Sequence, residues 1–348
     1  MQRSIRQHKN NIIPVVISVL AALTALVICT GLGSVSINAA DSVRIVAHKL
    51  FGTDLTDSIN EGMVAILWDI RIPRVITAFA CGAALSVSGV VMQSVLRNPL
   101  ASSYTLGVSS GASLGVVIIM VSGITVPLLG SLLMPLTGFI FGFLTVLAAL
   151  ALSQILDKHG RSDTIVLIGM VLSLFLNAVV TFVSQFFPDH RSRIALWLTG
   201  SFSGRNINHA AVMVAVTLVS VILLMIFSKE LDIMTFGDEQ AMSIGVNTKN
   251  RKVFLIVLTA LLTGVSVAFT GTIGFIDLVA PHVVRKIFGA RHRAVIPMSF
   301  VYGGAFMSIA DLIARTVLSP REISVGAITA LIGAPIFVFI FFKRRKDS

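Results

Sequence analysis

Residues Val253–Phe288 read VFLIVLTALLTGVSVAFTGTIGFIDLVAPHVVRKIF, an apolar stretch broken in the middle by Thr270-Gly271-Thr272-Ile273-Gly274. A helix rising about 1.5 Å per residue crosses the roughly 30 Å hydrocarbon core of a bilayer in about 20 residues, so this stretch is too long for one crossing. Two helices must meet at the glycines. Non-helical backbone at membrane depth survives only where protein covers it or water reaches it, because each unpaired amide or carbonyl costs several kcal/mol. The turn is therefore expected to face a cavity, with Gly271 and Gly274 as pore or gate candidates.

Outward from that stretch, nine clear spans can be read: Ile12–Leu32, Val75–Leu96, Tyr104–Val121, Leu128–Leu156, Ile165–Phe187, Ala210–Ser228, Val253–Ile273, Ala294–Ile313 and Val325–Phe342. Phe275–Phe288 is a shorter tenth. Composition agrees: 55% of the 348 residues are hydrophobic and 12% charged, where a soluble domain carries roughly a quarter of its residues as charge. The first run follows Arg3, Arg6 and Lys9 like a signal peptide. It outlasts the apolar region of about 7–15 residues that such peptides carry, and reads as an uncleaved span. Cys29 and Cys81 sit alone in apolar runs and read as inert buried thiols.

The net charge of +11 is distributed as topology rather than as a nucleic-acid surface. Lys and Arg fall in short clusters between apolar runs, with no basic groove of interleaved aromatics. The carboxyl-terminal Lys343-Arg344-Arg345-Lys346 matches the basic amino terminus, so both ends are expected in the cytoplasm and the number of crossings must be even. Ten crossings place 18 of the 27 Lys and Arg residues on the cytoplasmic side. A single transmembrane domain over residues 1–348 follows, with a cytoplasmic loop at about 231–249 and an outer loop at about 33–62, where Val43–Phe51 has the makings of a short surface helix.

No nucleotide-binding glycine loop, HExxH motif or paired CxxC is present, so no enzyme activity, cofactor or metal site is expected in the chain itself. If ATP drives transport, hydrolysis belongs to a partner acting through a cytoplasmic loop. Leu231–Lys249, LDIMTFGDEQAMSIGVNTK, is the best candidate. It reads as two short helices broken around Gly245, with Gly237, Asp238 and Glu239 near a helix start that favours acidic groups. Met234, Phe236, Ala241, Met242 and Ile244 offer apolar contact that a merely solvated loop rarely carries.

On the outer side, Arg71-Ile72-Pro73-Arg74 stands at the mouth of the second span, with the proline suited to a first helical turn. Snorkelling anchors and docking groups for an acidic external partner are the two readings of these arginines. Asp311 and Arg315 share a helix face and can pair. Asp277 either caps the short helix or faces the cavity, and His282 reads as a hydrogen-bonded buried histidine. Gln93, Arg97 and Asn98 form a polar turn stopped by Pro99. Gly107, Gly111 and Gly115 recur every four residues, either for close helix packing or, at Gly107 and Gly111, as a pore-lining face. An ion-coupled secondary transporter is the different-class alternative, and Asp277 and Asp311 are its only serious coupling acids.

The segments together resemble one family, the FecCD-type permeases of iron-siderophore, haem and cobalamin ABC importers. The likeness is carried by RIPRVITAFACGAALSVSGVVMQSVLRNPLASSYTLGVSSGASLG from Arg71, ALWLTGS at Ala195–Ser201, FGDEQAMSIGV, GTIGFIDLVAPHVVRKIFG, IADLIAR and ISVGAITALIGAPIFVF. The resemblance implies an all-α, ten-helix membrane protein of the type II ABC importer architecture, in the cell membrane of a bacterium. It implies two cytoplasmic ATPases that bind the ATP and dock on the 231–249 loop, a second permease copy or paralogue, and an extracytoplasmic solute-binding protein met by Arg71, Arg74 and Arg315. Membrane lipid surrounds the chain and nucleic acid plays no part. A ferric siderophore is the expected cargo, with haem or cobalamin as the alternative. Two positions depart from the family pattern: glycine is common where Asp277 stands, and Ala101-Ser102-Ser103 replaces a more common acidic-proline version.

Overall fold

The computed structural model describes residues 12–346 apart from 34, 36, 57, 58, 158–160 and 246, with side chains described as far as residue 339. Arg3, Arg6 and Lys9, and the side chains of Lys343–Lys346, on which the reading of the termini rests, lie outside the described residues. The described chain is helical throughout: α1 (Ile12–Gly31), α2 (Ala39–Phe51), α3 (Glu61–Val95), α4 (Val108–Ser122), α5 (Leu133–Leu156), α6 (Ser162–Phe186), α7 (Arg191–Leu198), α8 (Ile207–Ile226), α9 (Ser228–Met234), α10 (Asp238–Ser243), α11 (Thr248–Thr270), α12 (Ile276–Phe288), α13 (His292–Thr316) and α14 (Val325–Lys346). Among the described residues, seven helices are long and apolar enough to cross a membrane alone. Two shorter apolar helices, α4 and α14, and the half-length α12 bring the crossings to about ten.

Side-chain size sorts these helices between protein and lipid. The Ile72–Val95 part of α3 is rich in Ala, Gly and Ser and is buried along almost its whole length. Small residues let neighbours approach on every side, and in a membrane it is close contact rather than apolarity that selects a protein neighbour over lipid. Backbones come close on two sides: a Cβ on Gly82 would strike the carbonyl of Gly303 in α13, one on Gly303 would strike the carbonyl of Gly82, and one on Gly89 would strike the carbonyl of Asp277 in α12. By contrast α1 and α6 turn their large residues outward, as Leu167, Val171, Leu174, Phe175, Phe182 and Phe186 show on α6. Some of the hydroxyls buried among these helices return to their own backbone, as Thr77 Oγ1 does to Pro73 O and Ser308 Oγ to Gly304 O.

Contacts fix which helix ends lie together. Arg97 after α3, Lys252 at the start of α11 and His292 at the start of α13 all touch α9 or α10. At the opposite end, Arg71 and Arg74 of α3 meet the chain after α1, α13 and the segment before α14. The start of α3 differs from the expected boundary at Val75. The helix runs back to Glu61 through a π-helical stretch, Ile66–Arg71. Pro73, read from sequence as a helix start, follows that stretch, where its missing N–H leaves no ladder bond to lose.

Candidate functional site

The α9–α10 segment lies outside the spans yet is firmly seated. Ser228, Leu231 and Met234 bury one face of α9. The chain then breaks at Gly237, whose φ of 125° and ψ of 156° belong to a region essentially restricted to glycine. Asp238 and Glu239 occupy the first turn of α10 as expected. Asp238 Oδ2 accepts from Lys252 Nζ at 3.0 Å and from Arg97 Nη2 at 3.2 Å, while Glu230 pairs with Arg251 at 2.9 Å. The expected break around Gly245 is corrected: the two helices part at Gly237, and Gly245, at φ +91°, ends the second before α11. Ala241 is also corrected, because it is fully buried against its own chain. What remains open to a partner is Phe236, Met242 and Ile244, exposed to 76%, 55% and 68%.

The glycine turn is covered by protein on its Gly271 side. Ser201 N donates to Thr270 O, and the neighbouring 199–200 backbone accepts from Val325 N and Gly326 N. Tyr104 OH donates to Ile273 O at 2.9 Å, and Ser109 Oγ lies 2.8 Å from Thr272 Oγ1. A Cβ on Gly271 would strike Trp197 O, whereas Gly274 has open space at that position. Of the two glycines, Gly274 is the one with open space beside it. Thr270 O, Gly271 N and Ile273 O are thus paired, as a non-helical turn at this depth requires of its backbone.

Asp277 is buried, and its carboxylate does not cap α12. The N-cap is Phe275, in the left-handed region at φ 71°, with no side-chain cap. Asp277 Oδ2 instead accepts from Ser103 N at 2.9 Å, Ser103 Oγ at 3.1 Å and Ser102 Oγ, while Oδ1 has no hydrogen-bond partner. His282 Nδ1 lies 2.8 Å from Leu278 O in its own helix. Gly107 and Gly111 are corrected from pore lining to packing: a Cβ on Gly111 would strike Thr145 of α5, and one on Gly107 would press on Thr145 and Ser173.

The three outer arginines are buried and engaged within the chain. Arg71 donates to Gly31 O at 2.6 Å and to Val35 O. Arg74 bridges two acids, reaching Asp311 Oδ1 at 2.8 Å and Glu322 Oε1 at 2.6 Å. Arg315 donates to Cys29 O and stands 3.6 Å from Asp311. The i,i+4 pair read from sequence is present, but Arg74 is the closer partner of Asp311. Glu322, Lys252, Asp232, His292, Ser94 and Arg285 all belong to these networks and went unread. Each pairs with a residue remote in sequence; Asp232, Ser94 and Arg285 lie inside stretches quoted above, but nothing local in those stretches encodes the partner.

Residues 19–343 match the FecCD transport family. The chain is 34% identical over 330 residues to the Hemin transport system permease protein HmuU of Yersinia pestis, covering 94% of this chain and 96% of that one. It is 35% identical over 283 residues to the Fe(3+) dicitrate transport system permease protein FecD of Escherichia coli strain K12, covering 80% and 86%. It is 35% identical over 344 residues to the ABC transporter permease protein YvrB of Bacillus subtilis strain 168, covering 99% and 97%. A solved inward-facing structure of a protein assigned to the metal-chelate type of ABC transporter superposes with a TM-score of 0.79 at 28% identity, covering 94% of this chain and 97% of that one. With a packed, small-residue α3, a helix broken at the glycine turn and a seated α9–α10 segment, the chain belongs to the FecCD transport family of ABC importer permeases.

Proposed function

We propose that the chain carries a ferric siderophore across the cell membrane by alternating access, with ATP hydrolysed by two partner ATPases docked at the α9–α10 end. The observation that carries this reading is the exposed trio Phe236, Met242 and Ile244 on a segment that Asp238 holds through Arg97 and Lys252. Apolar side chains left to water on a rigid segment outside the spans make a docking surface, and ion pairs at its root turn a push on it into movement of α3 and α11. This end, with both termini, faces the cytoplasm, and a second permease copy or paralogue completes the path. The chain binds no cofactor of its own.

The opposite end receives the extracytoplasmic solute-binding protein. Among the described contacts, Asp311 and Glu322 pair with Arg74 and Arg315 while Arg71 meets backbone carbonyls, leaving one cationic charge in excess for an acidic partner. Glu322 is the more exposed of the two acids and is the one an incoming carboxylate would displace from Arg74. Coupling to an ion gradient would need a free intramembrane acid. Asp311 is held by two arginines and Asp277 through Oδ2 by two serines, so an ion-coupled reading would rest on Asp277 Oδ1 alone, which favours the ATP-driven reading.

Relatives named for hemin and Fe(3+) dicitrate transport support an iron-chelate cargo. Proteoliposomes holding the chain with its ATPase and binding protein, offered ferric hydroxamates, ferric catecholates, ferric citrate, haem and cobalamin, are expected to accumulate a ferric siderophore only with ATP. Haem or cobalamin uptake alone would move the cargo assignment, and uptake driven by an ion gradient without ATP would overturn the mechanism.

A further inference from the structure

A chain of polar contacts runs from α9 through the interior to the glycine turn. Asp232 on α9 accepts from the backbone N of His292 at 2.9 Å and lies 2.6 Å from His292 Nδ1. The other ring nitrogen, Nε2, lies 2.6 Å from Ser94 Oγ in the last turns of α3. Arg285 of α12 reaches Ser94 Oγ at 3.4 Å and donates to Gln93 Oε1 at 2.5 Å. Gln93 Nε2 in turn donates to the backbone O of Asp277 at 3.2 Å, on the first turn of α12. Asp277 then closes the chain onto Ser102 and Ser103.

The order carboxylate, imidazole, hydroxyl is that of a hydrolytic triad, but its setting is different. Ser94 and His292 are both buried, and Ser94 Oγ also lies 2.9 Å from Val90 O of its own helix. A carboxylate only accepts, so Asp232 keeps the proton on Nδ1. Val90 O and the Nε2 of a neutral ring both only accept, so they compete for the single Ser94 hydroxyl proton, and the shorter 2.6 Å contact to Nε2 is the one that joins α3 to α13. Both ring nitrogens are therefore spent on holding α9, α13 and α3 in one relation.

Apolar helix surfaces can slide past one another in small steps, but directional hydrogen bonds inside a low-dielectric interior cannot shift without leaving groups unpaired. A displacement of α9 thus either breaks this chain or carries α3, α12 and the turn with it. We propose that His292 is a positioning residue of transport, linking the motor-facing α9 to the half-helix α12 and so to the Gly271–Gly274 turn. The inference rests on the ATP-driven reading above and adds the route by which that drive reaches the turn.

The test uses the permease with its ATPase in lipid nanodiscs and a reporter cysteine at Gly274, where a Cβ meets open space and both native cysteines are buried. The labelling rate by a small methanethiosulfonate is compared without nucleotide and with ATP plus vanadate. In the G274C background the rate is expected to differ several-fold between the two states. H292F, which keeps the bulk and removes the ring nitrogens, and S94A, which leaves Asp232 capping α13, are each expected to abolish that difference while the complex stays assembled and hydrolyses ATP. H292Q, which retains a donor and an acceptor, is expected to restore part of it. A merely structural histidine would lower the melting temperature in H292F but leave the nucleotide-dependent difference intact in S94A, and that result overturns the proposal. No difference in the G274C background itself, despite ATP hydrolysis, would instead overturn the ATP-driven reading beneath it.

Discussion

Asp277 and the Ser102-Ser103 pair, the two departures from the family pattern, touch in the fold. The resemblance implies an acid on the turn before α4 and glycine on α12, whereas this chain puts hydroxyls on the turn and the acid on α12, the other side of one contact. D277G strands the Ser103 amide and two hydroxyls, and a melt of the purified protein should show a loss of about 1–3 kcal/mol. S102D alone sets two buried carboxylates together and should also destabilise. S102D/D277G should recover most of both losses, and simple additivity would refute the exchange. The outer cluster gives a second contrast. D311N leaves Arg315 buried without a charge partner and Arg74 with Glu322 alone, and should cost about 3–5 kcal/mol. E322Q removes an acid exposed to 38% and should cost no more than about 1 kcal/mol. Equal losses would contradict this division of labour. The Asp311–Arg315 pair was legible from its spacing, but Arg74 reaches Asp311 from a helix far away in the chain, and no local signal encodes that.

At the scale of elements, hydropathy located the spans well because lipid imposes a length on every one of them, and it failed where polar residues continue a helix. The prefix of α3 carries Asp69 and Arg71, so its apolar signal starts only after Pro73, although the helix itself starts at Glu61. The same limit misplaced the break in the 231–249 loop. Gly237 and Gly245 are equivalent as letters, and only the backbone reveals which one parts α9 from α10. The contact of α3 with α13 was open to reading in kind, since small residues invite close approach, but its partner was not. G303A forces a methyl onto the Gly82 carbonyl and should destabilise by about 1–3 kcal/mol, whereas G274A, with open space around it, should leave the melting temperature unchanged. Similar effects at both glycines would mean that the two helices do not meet as described.

For the whole molecule, connectivity and contacts make a single statement about sides. The α9–α10 segment, Arg97 and the start of α13 share one end, and Arg71, Arg74, Glu322 and the 123–132 connection belong to the other. The excess of Lys and Arg expected on the first of these ends is a property of the whole chain rather than of one motif, and it predicts that this end faces the cytoplasm. Ile244 at one end and Leu128, exposed to 94%, at the other therefore report opposite compartments. With an impermeant thiol reagent, L128C should label in intact cells and I244C only in inverted membranes; Cys29 and Cys81, both buried, should contribute little background. Labelling of I244C from outside would place its segment beyond the reach of any ATP-hydrolysing partner, and would remove the motor from the mechanism while leaving the helical fold as it stands.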